Sequence, residues 1–269
     1  MLIESSSQAA LATLRKQQDD IAKDHFYSSN TQSAAIKTIN ENISKHNIRT
    51  WSTLTNTIPQ HIYQFARKAL LQQLPTAANL HKWKKIANPD CVLCNANNTQ
   101  TNKHVLSNCP AKIALERYTH RHDNVLSMLA DWIAGVKSPI QQLFADIAPD
   151  RWNPIESVFK PSCRPDLLLV DGNKIGVLEL TVCHETNLAK SKLYKLNKYK
   201  HIGHSLQPNF SICDVQIFTI EISTLGFISD FKHFQSAMAL PPFTMTLHNA
   251  IINSVLNDSY NIYKLRNTI

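Results

Sequence analysis

Apolar positions recur at helical spacing through the first half of the chain and then change period after Pro165. In IPQHIYQFARKALLQQLP, Ile58, Ile62, Phe65, Ala66 and Leu70 fall on one face, with Pro59 suited to a first turn and Pro75 near the end. The run KIALERYTHRHDNVLSMLADWIAG predicts a second helix, closed by Gly135 as a C′ residue. Beyond Pro165, DLLLV and IGVLELTV are short Leu/Val/Ile runs separated by Asp171-Gly172-Asn173-Lys174, which predicts a hairpin. Residues 185–204 return to helical spacing, with Leu188, Leu196, Tyr199 and Ile202 on one stripe. CDVQIFTIEIS predicts a third strand, and SDFKHFQSAMAL and residues 244–265 predict closing helices. Residues 1–48 read as helix with polar faces and are expected either to be loosely held or to have once packed on a further domain.

An apolar content of 43% is that of a folded globular protein, and the chain is long enough for one sizeable domain or two modest ones. Glycine is scarce, and neither GxxxxGK[ST] nor GxGxxG occurs, which disfavours the common nucleotide-binding loops. The N-terminus has no apolar core segment of a secretory signal, and no apolar run approaches bilayer length. The six cysteines are not spaced as a secreted disulfide framework, so a reducing compartment, nucleus or cytoplasm, is expected. The net charge of +8 suits a polyanionic partner, and its distribution says more than its size. Lys190, Lys192, Lys195, Lys198 and Lys200 are concentrated directly after the best carboxylate motif, where a phosphate-facing surface is useful.

Two constellations carry chemistry. Cys91-x2-Cys94-x9-His104-x4-Cys109 supplies four N/S ligands of the kind zinc prefers in a tetrahedron, around a polar, Asn-rich segment that a metal rather than a core would close. Four protein ligands leave no open position, so the expected role is structural. The second is Arg164-Pro165-Asp166-x12-Glu179-Leu180-Thr181. A two-residue turn at Gly172-Asn173 pairs Asp171 with Lys174 and hence Asp166 with Glu179. Opposed side chains in an antiparallel pair have Cβ atoms about 5 Å apart. Two carboxylates held there repel, and a hard divalent cation relieves the conflict. Thr181 shares the face of Glu179, while Leu167, Leu169, Leu178 and Leu180 point to the other.

PD followed by an acid-x-Lys is the signature of the PD-(D/E)xK, restriction-endonuclease-like nucleases, and this chain has PD and then E-x-T, without the lysine. That departure resembles the restriction-like endonucleases at the C-terminal end of certain site-specific non-LTR retrotransposon proteins. ELTVCHETNLAKSKLYKLNKYK is similar to their pattern of E-L-T-V, then E-x-N, then K-x-x-K-Y. The CCHC knuckle, Arg121-His122-Asp123 as an R-H-[ND] motif, and IEISTLGFIS match in order, so the resemblance spans roughly residues 50–230.

The resemblance implies an α+β protein: a helical N-terminal part with a CCHC zinc knuckle, then a restriction-endonuclease-like α/β core with a central mixed sheet. The expected divisions are 1–48 helical, 49–90 a helical connector, 91–150 the knuckle and a helical region, and 151–269 the nuclease. The implied activity is nicking of target DNA to prime reverse transcription, and no [FY]-x-D-D polymerase motif is present. Asp166 and Glu179, with the Leu180 carbonyl, are expected to hold Mg²⁺ or Mn²⁺, and Cys91, Cys94, His104 and Cys109 to hold zinc. Lys195, or else Lys198, replaces the missing lysine, with Lys195 the first choice, and Glu185 supports the site. Arg121, His122, Arg164, Lys190, Lys192 and Lys200 are the candidate nucleic-acid contacts, His122 having a core or capping role as its alternative. DNA is the expected partner, with element RNA, an RNA–DNA hybrid and a separately encoded reverse transcriptase as further candidates, and no membrane. The rival expectation is a retrotransposon-derived nucleic-acid-binding protein whose nuclease fold no longer cleaves.

Overall fold

The strand β3 (Leu167–Asp171) turns into β4 (Lys174–Cys183) through Gly172, whose φ of +61° supplies the left-handed conformation a tight hairpin needs at its first central position. The register is the expected one: Asp171 pairs with Lys174 and Leu167 with Leu178. The computed structural model describes residues 2–29, 33–54, 57–94, 98–148, 151–160, 163–210 and 212–268. Asn95, Ala96 and Asn97 of the Asn-rich segment lie outside the described residues.

Two further strands, β1 (Gln142–Ala145) and β2 (Asn153–Pro154), and β5 (Asp214–Ser223) complete a mixed five-stranded sheet of order β2-β1-β3-β4-β5. β1 runs antiparallel to β3, and β5 parallel to β4. A parallel neighbour requires a crossover, which the helix α7 (Leu188–Tyr199) supplies across one face. That face packs Leu168, Val170, Ile175 and Val177 against Tyr199, Ile202 and Leu206. The other packs Leu167, Leu169, Leu178 and Leu180 against α6 (Lys112–Val136) and α9 (Met245–Lys264). The sheet is therefore buried on both sides, where the sequence pattern marked only one.

The remaining helices are α1 (Leu2–Ser28), α2 (Ala34–Asn42), α3 (Lys45–Leu54), α4 (Gln60–Leu70), α5 (Ala77–Lys82) and α8 (Lys232–Ala237). Three expectations change. One core runs from Ile39 on α2 to Tyr263 on α9, so the divisions at 48, 90 and 150 do not separate independent cores, and β1 places the start of the sheet before residue 151. Only α1 fits a loosely held segment, since Ala35 and Ile39 of α2 are buried. Gly135 lies inside α6, which continues to Val136 and is capped by an extended Lys137, so the helix ends without a glycine turn. Among the described residues no helix is long and apolar enough to cross a membrane.

Candidate functional site

Asp166 sits one residue before β3 and Glu179 directly across on β4. Both continue the parity of Leu168, Val170, Ile175 and Val177, so both side chains leave the sheet on the α7 side. The two carboxylates interlock with the opposite backbone. The Asp166 N–H donates to Glu179 Oε1 at 3.2 Å, and the Leu180 N–H donates to Asp166 Oδ2 at 2.8 Å. Lys195 descends from α7 and places its Nζ 2.5 Å from Glu179 Oε2 and 3.5 Å from Asp166 Oδ2. Thr181, where the lysine of the D/E-x-K pattern is expected, presents a shielded hydroxyl with no hydrogen-bond partner. The ammonium at this centre thus comes from the helix, not the strand.

His122, on α6, closes the far side. Its Nε2 is 3.5 Å from Asp166 Oδ1 and its Nδ1 is 3.0 Å from Asp123 Oδ1. Burial works against its charge, but Asp166 and then Asp123 outweigh it and raise the imidazole to about 9. Burial and the neighbouring Asp166 charge raise Glu179 to about 7 against the pull of Lys195. Asp166 is held below the ordinary carboxylate range, because His122, Lys195 and the Leu180 N–H together overcome its burial. One acid is firmly ionised, and the fully buried second prefers a proton or a cation beside it. Tyr199 donates from its hydroxyl to the Arg164 carbonyl at 3.1 Å and accepts from Lys198 Nζ at 2.9 Å. The sequence placed Tyr199 on an apolar stripe and as the tyrosine of K-x-x-K-Y, and Asp123 only as part of a motif, with no contact assigned to either.

The other predicted residues fall elsewhere. Lys190, Lys192 and Lys198 are exposed on α7 and Lys200 directly after it. Arg164 is exposed but directed at acids, to Asp146 and to Glu156 at 3.3 Å. Glu185 is buried and accepts from the Thr224 hydroxyl at 2.8 Å and the Leu225 N–H at 3.1 Å, so it clamps the loop after β5. Among the described residues no hydrogen bond joins it to Asp166, Glu179 or Lys195.

Arg121 corrects its assignment as a nucleic-acid contact. It is 1% exposed and its Nη1 bonds Ser259 Oγ of α9 at 2.9 Å, because successive helical residues point about 100° apart and only His122 faces the acids. Burial lowers its guanidinium to about 10. Arg121→Ala is expected to cost about 3 kcal/mol of stability in chemical denaturation, through lost packing and an unpaired buried network. It should leave the nucleic-acid affinity of the folded protein unchanged within about twofold, as its guanidinium reaches no surface.

The cysteine cluster forms a second centre. Cys91, Cys94, His104 and Cys109 offer one ligand atom each, all within 4.8 Å of one another. For Zn–S bonds of about 2.3 Å and Zn–N bonds of about 2.0 Å, a tetrahedron has S···S edges of about 3.8 Å and S···N edges of about 3.5 Å. The Cys91–Cys109 sulfurs are 3.9 Å apart, and Cys94 Sγ lies 3.6 Å from His104 Nε2, so the set fits zinc. Burial lowers His104, which keeps a neutral imidazole available as a ligand. Burial and the adjacent thiols push Cys109 up to about 12, so a cation rather than the fold must drive its deprotonation. Tyr118 of α6 braces the cluster, its hydroxyl accepting the Cys109 N–H at 3.2 Å and donating to the Val105 carbonyl at 2.8 Å. Lys103 Nζ, beside His104, reaches Asn187 Oδ1 at 2.9 Å and ties this centre to the start of α7.

Residues 27–115 match the family described as zinc-binding in reverse transcriptase. The Cys/His cluster lies inside that match, so this part of the chain is similar to the zinc-binding domains related to reverse transcriptases, with the ligand set such a domain needs. No curated protein matches the chain.

Proposed function

We propose that the chain is a metal-dependent DNA endonuclease of the restriction-like kind, nicking target DNA as retrotransposon proteins do before reverse transcription. The observation that carries this reading is the convergence of Asp166, Glu179 and Lys195 on one spot from three separate segments. Support also comes from the mixed sheet, with its hairpin and parallel third strand, and from a reverse-transcriptase-related zinc domain on the same chain.

Asp166 and Glu179, with the Leu180 carbonyl, would hold Mg²⁺ or Mn²⁺. When bound, such an ion lowers the pKa of a coordinated water and offsets charge on the phosphate. Lys195 stands close enough to the carboxylates to stabilise charge growing on the scissile phosphate or to orient the attacking water. The exposed Lys190, Lys192, Lys198 and Lys200 would meet backbone phosphates and give salt-sensitive, sequence-neutral affinity.

The test is incubation of the purified protein with supercoiled plasmid and Mg²⁺ or Mn²⁺. Conversion to the open circle is expected, while tight binding without cleavage would favour a non-catalytic binding protein. Lys195→Ala should slow nicking by roughly 100-fold, the usual loss for one charge-stabilising donor. Lys198→Ala should cost less than about tenfold, since its ammonium bonds Tyr199 rather than the acids. Equal losses in the two variants would remove Lys195 from the role assigned to it.

A further inference from the structure

The lysines of α7 are one concentration of positive charge, and the sequence holds another that the nuclease site does not use. From position 42 to position 89 there are seven Lys or Arg residues and no Asp or Glu. Four of them, Lys68, Lys82, Lys84 and Lys85, are exposed where α4 and α5 come together beside the zinc cluster. Between these helices runs a groove of about 550 Å³, lined among others by Lys68, Gln72, Gln73, Lys82 and Trp83.

Trp83 is 43% exposed in this groove. Its placement depends on an unusual backbone. Lys84 takes φ +57°, and the N–H groups of Lys84 and Lys85 turn back to the His81 and Leu80 carbonyls, each at 2.8 Å. Gln72, at the end of α4, also has φ +57°. Of the three non-glycine residues with positive φ among the described residues, one lines this groove and another follows directly on its tryptophan. Each is the left-handed residue that ends its helix, with the next N–H bonded back five residues (Gln73 to the Lys68 carbonyl at 2.7 Å, Lys85 to that of Leu80), so the two helix ends fix the walls of the groove.

An exposed indole among lysines, without a nearby acid, is the chemistry of a stacking platform with phosphate contacts on either side. A bilayer surface would also attract basic residues and tryptophan, but it is flat, and this indole lines a concave groove. Duplex DNA keeps its bases stacked on one another and offers no free π-face. We propose that this groove binds an unpaired DNA strand, with a base stacked on Trp83 and flanking phosphates held by Lys68 and Lys82. The choice of DNA rests on the nuclease reading, in which a nicked strand is the nearest unpaired partner. The groove is a binding site separate from the carboxylate centre.

The test is fluorescence anisotropy with a labelled oligodeoxythymidine and the full zinc-loaded chain carrying Asp166→Ala, so that cleavage cannot consume the probe. Trp83→Ala should weaken binding by roughly tenfold, and Trp83→Phe, which keeps a ring, should recover most of it. Lys68→Ala with Lys82→Ala should reduce the slope of log affinity against log salt by about 1.4, or about 0.7 for each single-strand phosphate released. Unchanged affinity in Trp83→Ala overturns the proposal, as does tighter binding of the matching duplex or of anionic vesicles. Tighter binding of oligouridine overturns the assignment to DNA. A protein that binds the strand through Trp83 but leaves plasmid intact with Mg²⁺ keeps the groove and loses the nuclease reading, so the two failures are distinguishable.

Discussion

Asp166→Asn is expected to reduce plasmid nicking by more than roughly 100-fold while leaving the protein folded. Loss of a group that only orients a metal ligand commonly costs 10- to 100-fold, and Asp166 is proposed as the ligand itself. The carboxamide keeps the shape of the side chain, and its oxygen can still accept the Leu180 N–H that now reaches Asp166 Oδ2 at 2.8 Å. What it removes is the charge that balances Lys195 and His122 and attracts the cation. Circular dichroism and thermal melting should therefore match the wild type closely, and only the metal-dependent reaction should be lost. Glu179→Gln should act in the same direction, because Glu179 is 0% exposed and its proton preference near neutrality makes a cation the natural partner. Nicking by Asp166→Asn within about tenfold of wild type would remove the carboxylate pair from the mechanism.

Removal of the zinc ligands is expected to have the largest effect on stability. Cys91→Ser with Cys109→Ser should abolish zinc binding and lower the melting temperature by roughly 10 °C or more. The two sulfurs are buried at 6% and 3% exposure, and the cluster stands at a junction of the fold rather than on a free arm. Arg266 at the end of α9 bonds the Pro75 carbonyl at 3.1 Å, and Asn267 accepts from Gln100 at 3.0 Å. Tyr118 carries the same region onto α6, which packs on the sheet. Losing the metal should therefore loosen both helices that cover one face of the sheet. Elemental analysis reads the zinc content and scanning calorimetry reads the melt. A double variant that melts within about 2 °C of wild type would show that the side chains, not a metal, hold this junction.

The two centres differed in how far the chain order revealed them. The zinc ligands lie within nineteen residues, so their spacing carried nearly all the information the tetrahedron needs. The carboxylate pair was legible for a different reason: a tight turn at Gly172 fixes every partner along a hairpin, and Asp166 opposite Glu179 follows from it. Lys195 was legible only through a resemblance, since a helix that crosses from β4 toward β5 can present any of its lysines until its packing face is known. The buried Leu188 and Tyr199 set that face and leave Lys195 turned toward the acids. Arg121 and Glu185 show the converse. Arg121 was expected at the nucleic acid and Glu185 beside the carboxylate pair, and tertiary packing buried both as internal ties.

Local rules also missed β1 and β2, which have four and two residues and owe their extended form to pairing with strands formed elsewhere. Nor could the sequence show that one core crosses the limits at 48 and 90, because shared packing is a property of contacts distant in the chain, and α2, α3 and α4 share one core with the sheet. The sequence by itself determined the grouping of Cys91, Cys94, His104 and Cys109, the hairpin register and the opposition of Asp166 and Glu179, since each depends on short spacings and fixed backbone periods. Only the tertiary structure decided that Lys195 completes the carboxylate pair, that His122 rather than Arg121 faces it, and that Trp83 stands open among lysines. Those outcomes depend on which helix face is buried, and burial is settled by the whole packed chain.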